Sequence, residues 1–193
     1  EPTDGQILYD GKDITKYNRR QMKQMRQNMQ LIFQDPYASL DPRKSVVEII
    51  AEYMIINRTY PSKKEIYNYA AHLMDIVGLA RRYANAYPHE LDGGRRQRIG
   101  IARALSLHPK FIVCDEPVSA LDVSIQAQIL NLLMDLQDEM NLTYMFVTHD
   151  LSVVKHISNH IMVMYLGQCL ELSTSDELFK RPLHPYTQAL LSA

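Results

Sequence analysis

The sequence predicts an α/β protein with a parallel sheet, and three stretches carry this prediction. Four apolar residues, 111–114, run into Asp115 and Glu116, as in a buried strand that ends in two carboxylates. A second apolar strand follows at residues 143–147. The helix predicted between them shows one apolar stripe, formed by Ile125, Ile129, Leu132, Leu133, Leu136 and Met140. A strand, a helix and a second strand in this order favour parallel pairing through a right-handed crossover.

The first third of the chain predicts a hairpin, a helix, a short strand and a second helix. Residues 5–14 alternate between apolar and polar side chains and turn at Asp10-Gly11. Residues 19–30 are polar and typical of a helix, and MQLIFQ at 29–34 reads as a short strand. A loop with two prolines follows, and the helical pattern resumes from Val46 to about Asn57.

Helix-start and helix-end residues mark the elements of the middle and the C-terminal part. Ser62 and Glu65 predict a capping box, and Gly78 ends the helix that they begin. A helix from about residue 93 to 107 precedes the strand at 110–114. After the buried strand at 143–147, Asp150 caps a short helix, and the remaining elements are two strands, the first of them in the parallel sheet, and two short helices that start at Ser175 and Pro185.

Composition excludes several classes of protein. The net charge of −1 gives no electrostatic footprint for nucleic acid. The two cysteines form no CxxC pair, so neither a zinc site nor a disulfide framework is supported, and a reducing compartment is expected. No apolar run reaches the 18 or more residues of a membrane span, and no signal peptide is recognised. The first residue is Glu1 rather than Met, which looks like a piece of a longer protein.

Four features suggest phosphate chemistry, and each has a plainer structural reading. Asp115 and Glu116 could hold Mg²⁺ and activate a water, or could simply begin an acidic loop. LDGGRRQRIGIARAL, residues 91–105, places two glycines at a helix start that could bind an anion. Its plainer reading is a surface helix capped by Asp92, with arginines on a solvated face. Gln34 and His149 each follow an apolar strand, where they could contact metal or phosphate or be structural.

Taken together, the four features resemble the ATPase subunits of ABC transporters over the whole chain. Gln34 is similar to the Q-loop, residues 91–105 to the signature motif, FIVCDE to Walker B, SALD to the D-loop and His149 to the switch histidine. The stretches QDPYASLDPR, YPHEL and RPLHPYTQALLSA look like the oligopeptide and dipeptide importer branch. The resemblance implies a P-loop NTPase fold that lacks its N-terminal part, with a parallel RecA-like sheet, a helical subdomain and the remnant of an antiparallel β subdomain.

The resemblance also implies roles for individual residues toward ATP and Mg²⁺. Asp115 would hold Mg²⁺, Glu116 would be the general base, Gln34 would touch the metal or the water, and His149 would contact the γ-phosphate. Around the nucleotide of a second ATPase subunit, the binding residues would be Asp92, Gly93, Gly94, Arg95, Ser119 and Asp122.

The implied organisation is one ABC ATPase domain in four parts. Residues 1–34 would be the β-subdomain remnant, 35–108 the helical subdomain, 109–165 the RecA-like core, and 166–193 the C-terminal strand and helices. The partners would be a paralogous ATPase in a head-to-tail dimer, membrane permease subunits that dock through coupling helices and, indirectly, an extracellular peptide-binding protein. The site of action would be the cytoplasmic face of the membrane. The alternatives are an ABC ATPase of DNA repair or translation, and a docking module without enzymatic activity.

Three departures from the family pattern matter. Asp92 stands where serine is usual and Arg95 where glutamine is usual, and the two could offset each other by pairing, with Asp92 also capping the helix. The sequence contains no GxxxxGK[ST] loop, and the adenine-stacking aromatic is missing with it. These residues alone are therefore expected to bind ATP poorly and to hydrolyse none.

Overall fold

The computed structural model describes residues 2–192 and contains eight helices and seven strands within them. The first strands, β1 (Leu8–Tyr9) and β2 (Lys12–Asp13), form the hairpin expected around Asp10-Gly11. Both turn residues have positive φ, 49° and 72°, as a two-residue turn of type I′ requires. The hairpin leads to α1 (Arg19–Asn28), whose start is capped by Asn18.

A parallel sheet of three strands lies at the centre of the fold, in the order β3 (Met29–Ile32), β4 (Phe111–Asp115) and β5 (Thr143–Val147). The register places Ile32 opposite Cys114 and Cys114 opposite Phe146. The predicted parallel pairing of β4 and β5 across α5 (Val123–Met140) is confirmed. Because both strands run the same way, their carboxyl ends share one edge of the sheet.

Four helices pack against one another beside this sheet. These are α2 (Val46–Asn57), α3 (Lys63–Ile76), α4 (Gly93–Leu105) and α5, with short 3-10 turns at Arg81–Tyr83 and Pro88–Glu90. α4 packs against α2, α3, α5 and β3, and its residues from Ile99 to Leu105 are almost fully buried. One hydrophobic core joins these helices to the inward side chains Ile32, Ile112 and Cys114.

The other face of the sheet was expected to be buried and is not. Leu31, Met145 and Val147 are 38%, 49% and 45% exposed. The prediction of a buried strand at 143–147 is therefore wrong for the described residues. β5 is an edge strand of this sheet, and β6 does not pair with it. Tyr144 and Phe146 on one face of β5 pack against the main core, whereas the residues on its other face are exposed.

The predicted third parallel strand is also corrected. β6 (His160–Tyr165) pairs antiparallel with β7 (Gln168–Thr174) in a separate sheet. The two strands are joined by Leu166-Gly167, both with positive φ, so a two-residue turn makes the local hairpin favourable. α6 (Leu151–Ile157), α7 (Ser175–Lys180) and α8 (Pro185–Ser192) complete the chain, and Ile161, Val163 and Leu178 form a second small core.

Most predicted helix boundaries are confirmed, with one change in capping. Ser62 accepts a hydrogen bond from the Glu65 amide, as an N-cap does. The Glu65 carboxylate accepts from the Ser62 hydroxyl rather than from its backbone N–H, so only half of the expected capping box forms. Gly78 ends α3 with φ of 66°, as predicted. No helix among residues 2–192 is long and apolar enough to cross a membrane.

Candidate functional site

Glu116 is the centre of a polar cluster at the carboxyl edge of the parallel sheet. The Gln34 amide Nε2 donates to Glu116 Oε2 at 2.7 Å, and His149 Nδ1 lies 3.1 Å from Glu116 Oε1. Gln34, Glu116 and His149 follow β3, β4 and β5, so three adjacent strands deliver one side chain each. The three side chains therefore meet at one edge of the sheet. The carboxylate is about three-quarters buried, whereas the His149 side chain is 75% exposed.

The backbone at Glu116 is strained and firmly held. Its φ of 43° lies in the left-handed region, which costs a residue with a side chain about 1–3 kcal/mol. Its N–H donates to the Val147 carbonyl at 2.8 Å, which ties the residue to the end of β5. Its carbonyl accepts from Ser119, from the amide at 3.2 Å and from the hydroxyl at 3.1 Å. The turn therefore aims the carboxylate toward Gln34 and His149, and Ser119 is placed as a support of this turn.

Asp115 is the last residue of β4 and is exposed at the same edge. Its carboxylate is a hard oxygen donor of the kind that Mg²⁺ prefers. The Gln34 side chain donates a hydrogen bond to Glu116 through its NH₂ group, so its carbonyl oxygen remains available to a cation. Within residues 2–192 no group of three or more Asp, Glu, His or Cys side chains could hold a metal alone. The donors present therefore fit an ion that takes its remaining ligands from water and a phosphate.

The first turn of α4 is closed by Asp92 and Arg95. Asp92 Oδ1 accepts from the Arg95 amide at 2.8 Å, and Asp92 Oδ2 forms an ion pair with Arg95 Nη1. Both interactions proposed from the sequence, the N-cap and the pairing, are present together. Neither oxygen of Asp92 is left unpaired, so the carboxylate is engaged with its own helix.

The two glycines after Asp92 allow α4 to approach the start of α5 and the residue Leu121 before it. A Cβ on Gly94 would lie 2.7 Å from Ile125 Cγ2, a distance that real contacts do not reach. A Cβ on Gly93 would lie 3.1 Å from Leu121 Cδ2. The glycines are therefore needed for packing, apart from any anion that their N–H groups could bind. Asp122 begins α5 through its carbonyl, and its exposed side chain makes no capping bond.

Three arginines of α4, which are Arg96, Arg98 and Arg103, anchor loops and do not form a solvated face. Arg96 Nε donates to the Pro88 carbonyl at 2.7 Å, and Arg98 Nη1 donates to the Val77 carbonyl at 2.5 Å. Arg103 is 8% exposed, donates to the Ser39 carbonyl, and has its pKa lowered by burial. The plainer reading of these arginines as surface charges is therefore wrong.

The predicted site residues form two groups. Across residues 2–192, no hydrogen bond or ion pair joins the Asp92–Arg95 pair to the Glu116 cluster. Beside the pair lies an open cleft of about 310 Å³. Tyr83, one of its lining residues, contacts Arg95 and was not recognised from the sequence. It lies in a loop with no motif of its own, so only the fold brings it to α4.

Comparison with protein families gives a match over most of the chain. Residues 1–119 match the model described as ABC transporter. The chain is 54% identical to the oligopeptide transport ATP-binding protein OppF of Bacillus subtilis, over all of the chain and 64% of that protein. It is 53% identical to the dipeptide transport ATP-binding protein DppF of Escherichia coli, over all of the chain and 57% of that protein. The chain thus spans about three-fifths of the length of these relatives.

Solved structures share the fold. An ATP-binding cassette solved as a dimer in a post-hydrolysis state, bound to ADP and Pi, is 28% identical with a TM-score of 0.79, over 91% of this chain and 75% of that chain. The protein cbiO1 from Clostridium perfringens, part of an ABC transporter complex, is 27% identical with a TM-score of 0.83. That match covers 94% of this chain and 70% of the other.

Proposed function

The chain belongs to the ABC transporter family, and from this membership we propose that the whole protein hydrolyses ATP to drive the import of oligopeptides or dipeptides. The convergence of Gln34, Glu116 and His149 from three adjacent strands is the observation that carries the enzymatic part. The identity to OppF and DppF supports the peptide part.

In the proposed reaction Glu116 is the general base. Its carboxylate accepts a proton from the water that attacks the γ-phosphorus, and the bond from that phosphorus to the leaving ADP oxygen breaks. Gln34 and His149 hold the carboxylate from both sides, which fixes its direction before substrate arrives. His149 bonds Glu116 through Nδ1, so Nε2 is left to face a phosphate.

Asp115 and the free carbonyl oxygen of Gln34 would hold Mg²⁺. The ion would neutralise charge on the phosphate oxygens when bound. The remaining work belongs to the chain's own residues, since phosphoryl transfer depends mainly on positioning and on electrostatic stabilisation.

A second cassette would complete the site. We place Gly93 and Gly94 at the phosphates of a nucleotide bound by the partner, with Ser119 and Asp122 at the contact between the two subunits. The dimeric state of the related ADP-bound cassette supports this arrangement. The helical part, residues 35–108, would receive permease coupling helices at the cytoplasmic face of the membrane.

Replacing Glu116 tests the enzymatic proposal in the full-length protein. For Glu116→Gln we expect ATP hydrolysis to fall about 10²–10⁴-fold, because the amide cannot accept the proton, while ATP binding persists. Phosphate release and nucleotide titration measure the two quantities. Glu139→Gln, an exposed carboxylate of α5, is the matched control and should hydrolyse ATP normally. Undiminished ATP hydrolysis by Glu116→Gln would show that Glu116 is not the general base.

The transport part needs a separate measurement. A strain without the gene should lose uptake of labelled di- or oligopeptides, and the unsubstituted gene should restore it whereas Glu116→Gln should not. Normal uptake in the deletion strain, together with intact ATP hydrolysis by the purified protein, would point to an ABC ATPase outside peptide import.

We further propose that residues 1–193 alone bind Mg-ATP weakly and hydrolyse none. The Glu116 cluster supplies groups for the water and the metal, but no GxxxxGK[ST] loop is present to bind the phosphates. In that motif, backbone amides and a lysine make most of the contacts to the nucleotide.

A further inference from the structure

We propose that Tyr83 is a positioning residue that holds the Arg95 guanidinium against Asp92 and thereby sets the charge at the start of α4. The effect of this cluster on nucleotide rests on the function proposed above, whereas the contact itself does not. The cluster is built from the 3-10 turn at Arg81–Tyr83 and the first turn of α4.

The first step of the argument is the charge on Asp92. A carboxylate at a helix N-terminus is stabilised by the helix dipole, but it repels a phosphate brought to the same place. Here Oδ1 accepts from the Arg95 amide and Oδ2 pairs with the Arg95 guanidinium. The pair is formally neutral, so the N–H groups of Gly93 and Gly94 can meet an anion without a net negative neighbour.

The second step is that an exposed ion pair does not hold itself in place. The side chains of Arg95 and Asp92 are 43% and 58% exposed, and pairs of this kind contribute little when both partners move freely. The cluster therefore needs a further contact that fixes the guanidinium.

Tyr83 provides that contact. The Arg95 Cζ lies 5.0 Å from the centre of the Tyr83 ring, within the range of a cation–π interaction. The Tyr83 ring is itself fixed, because it packs against the main hydrophobic core. Arg82 binds the same ring, with its Cζ 5.1 Å from the ring centre and Nη2 donating to Tyr83 Oη at 3.2 Å.

Among the described residues that line the surrounding cleft, Arg95 is the one whose guanidinium pairs with Asp92. The charged residues that line it are Arg82, Asp92, Arg95 and Arg98. Arg98 is turned toward the Val77 carbonyl and Gln128, so it takes no part in the pair. Three guanidiniums and one carboxylate give the cleft a formal charge of about +2, which favours an anionic ligand beside the helix start.

The contact is tested first in the full-length protein by NMR, without nucleotide. Tyr83→Leu should shift the Arg95 side-chain Nε–Hε resonance, because the ring current and the fixed orientation are lost. Tyr83→Phe keeps the ring and should leave the resonance in place, although it removes the hydroxyl bonded to Arg82. An unchanged Arg95 resonance in Tyr83→Leu would overturn the proposal without reference to ATP.

The consequence is tested in the full-length protein by ATP hydrolysis. Tyr83→Leu should raise the KM for ATP about two- to five-fold with little change in kcat, and Tyr83→Phe should not. In an Asp92→Ser background the effect of Tyr83→Leu should vanish, because no carboxylate remains to be neutralised. Independent, additive effects of the two substitutions on KM would contradict the positioning role.

The two proposals fail in different ways. If the unsubstituted full-length protein hydrolyses no ATP, the proposed function fails while the NMR result still decides the contact. If hydrolysis is normal and Tyr83→Leu leaves KM unchanged, the function stands and the positioning role of Tyr83 is overturned.

Discussion

At the residue scale, the two cysteines show how burial makes two identical thiols differ in reactivity. Cys114 is fully buried in β4, and burial raises the pKa of its thiol to about 12. Cys169 is an exposed free thiol on β7. Thiolate is the reactive form, so the two residues should differ strongly toward alkylating reagents.

We expect iodoacetamide at pH 8 to label Cys169 and to leave Cys114 unmodified in the folded chain. Mass spectrometry of tryptic peptides measures this, and both thiols should react in denaturant. Rapid labelling of Cys114 under native conditions would mean that the core around β4 opens readily.

The raised pKa of Cys114 also predicts a pH dependence of stability. Between the thiol's ordinary pKa near 9.0 and its folded value of about 12, the folded chain binds more protons than the unfolded chain. The free energy of unfolding should therefore fall as pH rises through this range. Urea titrations between pH 8 and pH 11 measure the slope, and Cys114→Ala should reduce it.

At the element scale, the packing of α4 on α5 depends on Gly94. Gly94→Ala forces a Cβ to within 2.7 Å of Ile125, and we expect the free energy of unfolding to fall by about 1–3 kcal/mol. Gly100→Ala lies on the same helix with nothing within 4 Å of its added Cβ. That control should be neutral or gain up to about 1 kcal/mol from helix propensity. Urea unfolding measures both variants, and equal changes in the free energy of unfolding for Gly94→Ala and Gly100→Ala would contradict the proposed clash.

Local patterns predicted most of the elements, and long-range pairing explains where they failed. Asp10-Gly11, Ser62, Gly78 and Pro185 act within a few residues, so the turns and helix ends that they predict are present. The burial of β5 depends on what packs on each of its two faces, and an apolar run of five residues carries no information about that. The position of β6 was missed for a related reason, because its antiparallel pairing with β7 is local whereas its place relative to β5 depends on long-range packing.

The candidate site was predictable to a similar degree. Gln34, Glu116 and His149 each follow a strand, so parallel topology alone brought them together. The contact between Tyr83 and Arg95 joins a loop to a helix and has no periodic pattern behind it. The division of the chain into four parts at residues 34, 108 and 165 remains a prediction.

At the scale of the whole molecule, the proposed nucleotide site is incomplete in these 193 residues, which contain no GxxxxGK[ST] loop. We expect isothermal titration with Mg-ATP to give an affinity weaker than micromolar, and we expect a phosphate assay to detect no hydrolysis. The reason is that most contacts to the nucleotide would come from the absent phosphate loop. The full-length protein under the same conditions is the matched control. Micromolar affinity of the 193-residue chain would show that the Glu116 edge or the α4 start binds nucleotide unaided.

The left-handed backbone at Glu116 has a consequence for how the chain can change. Glycine adopts that conformation without a steric cost, so Glu116→Gly would relieve strain at the end of β4. A laboratory selection for thermal stability alone would therefore favour glycine at this position, whereas a selection for ATP hydrolysis would favour glutamate. At this position glycine has the less strained backbone, whereas only glutamate carries the carboxylate of the proposed reaction.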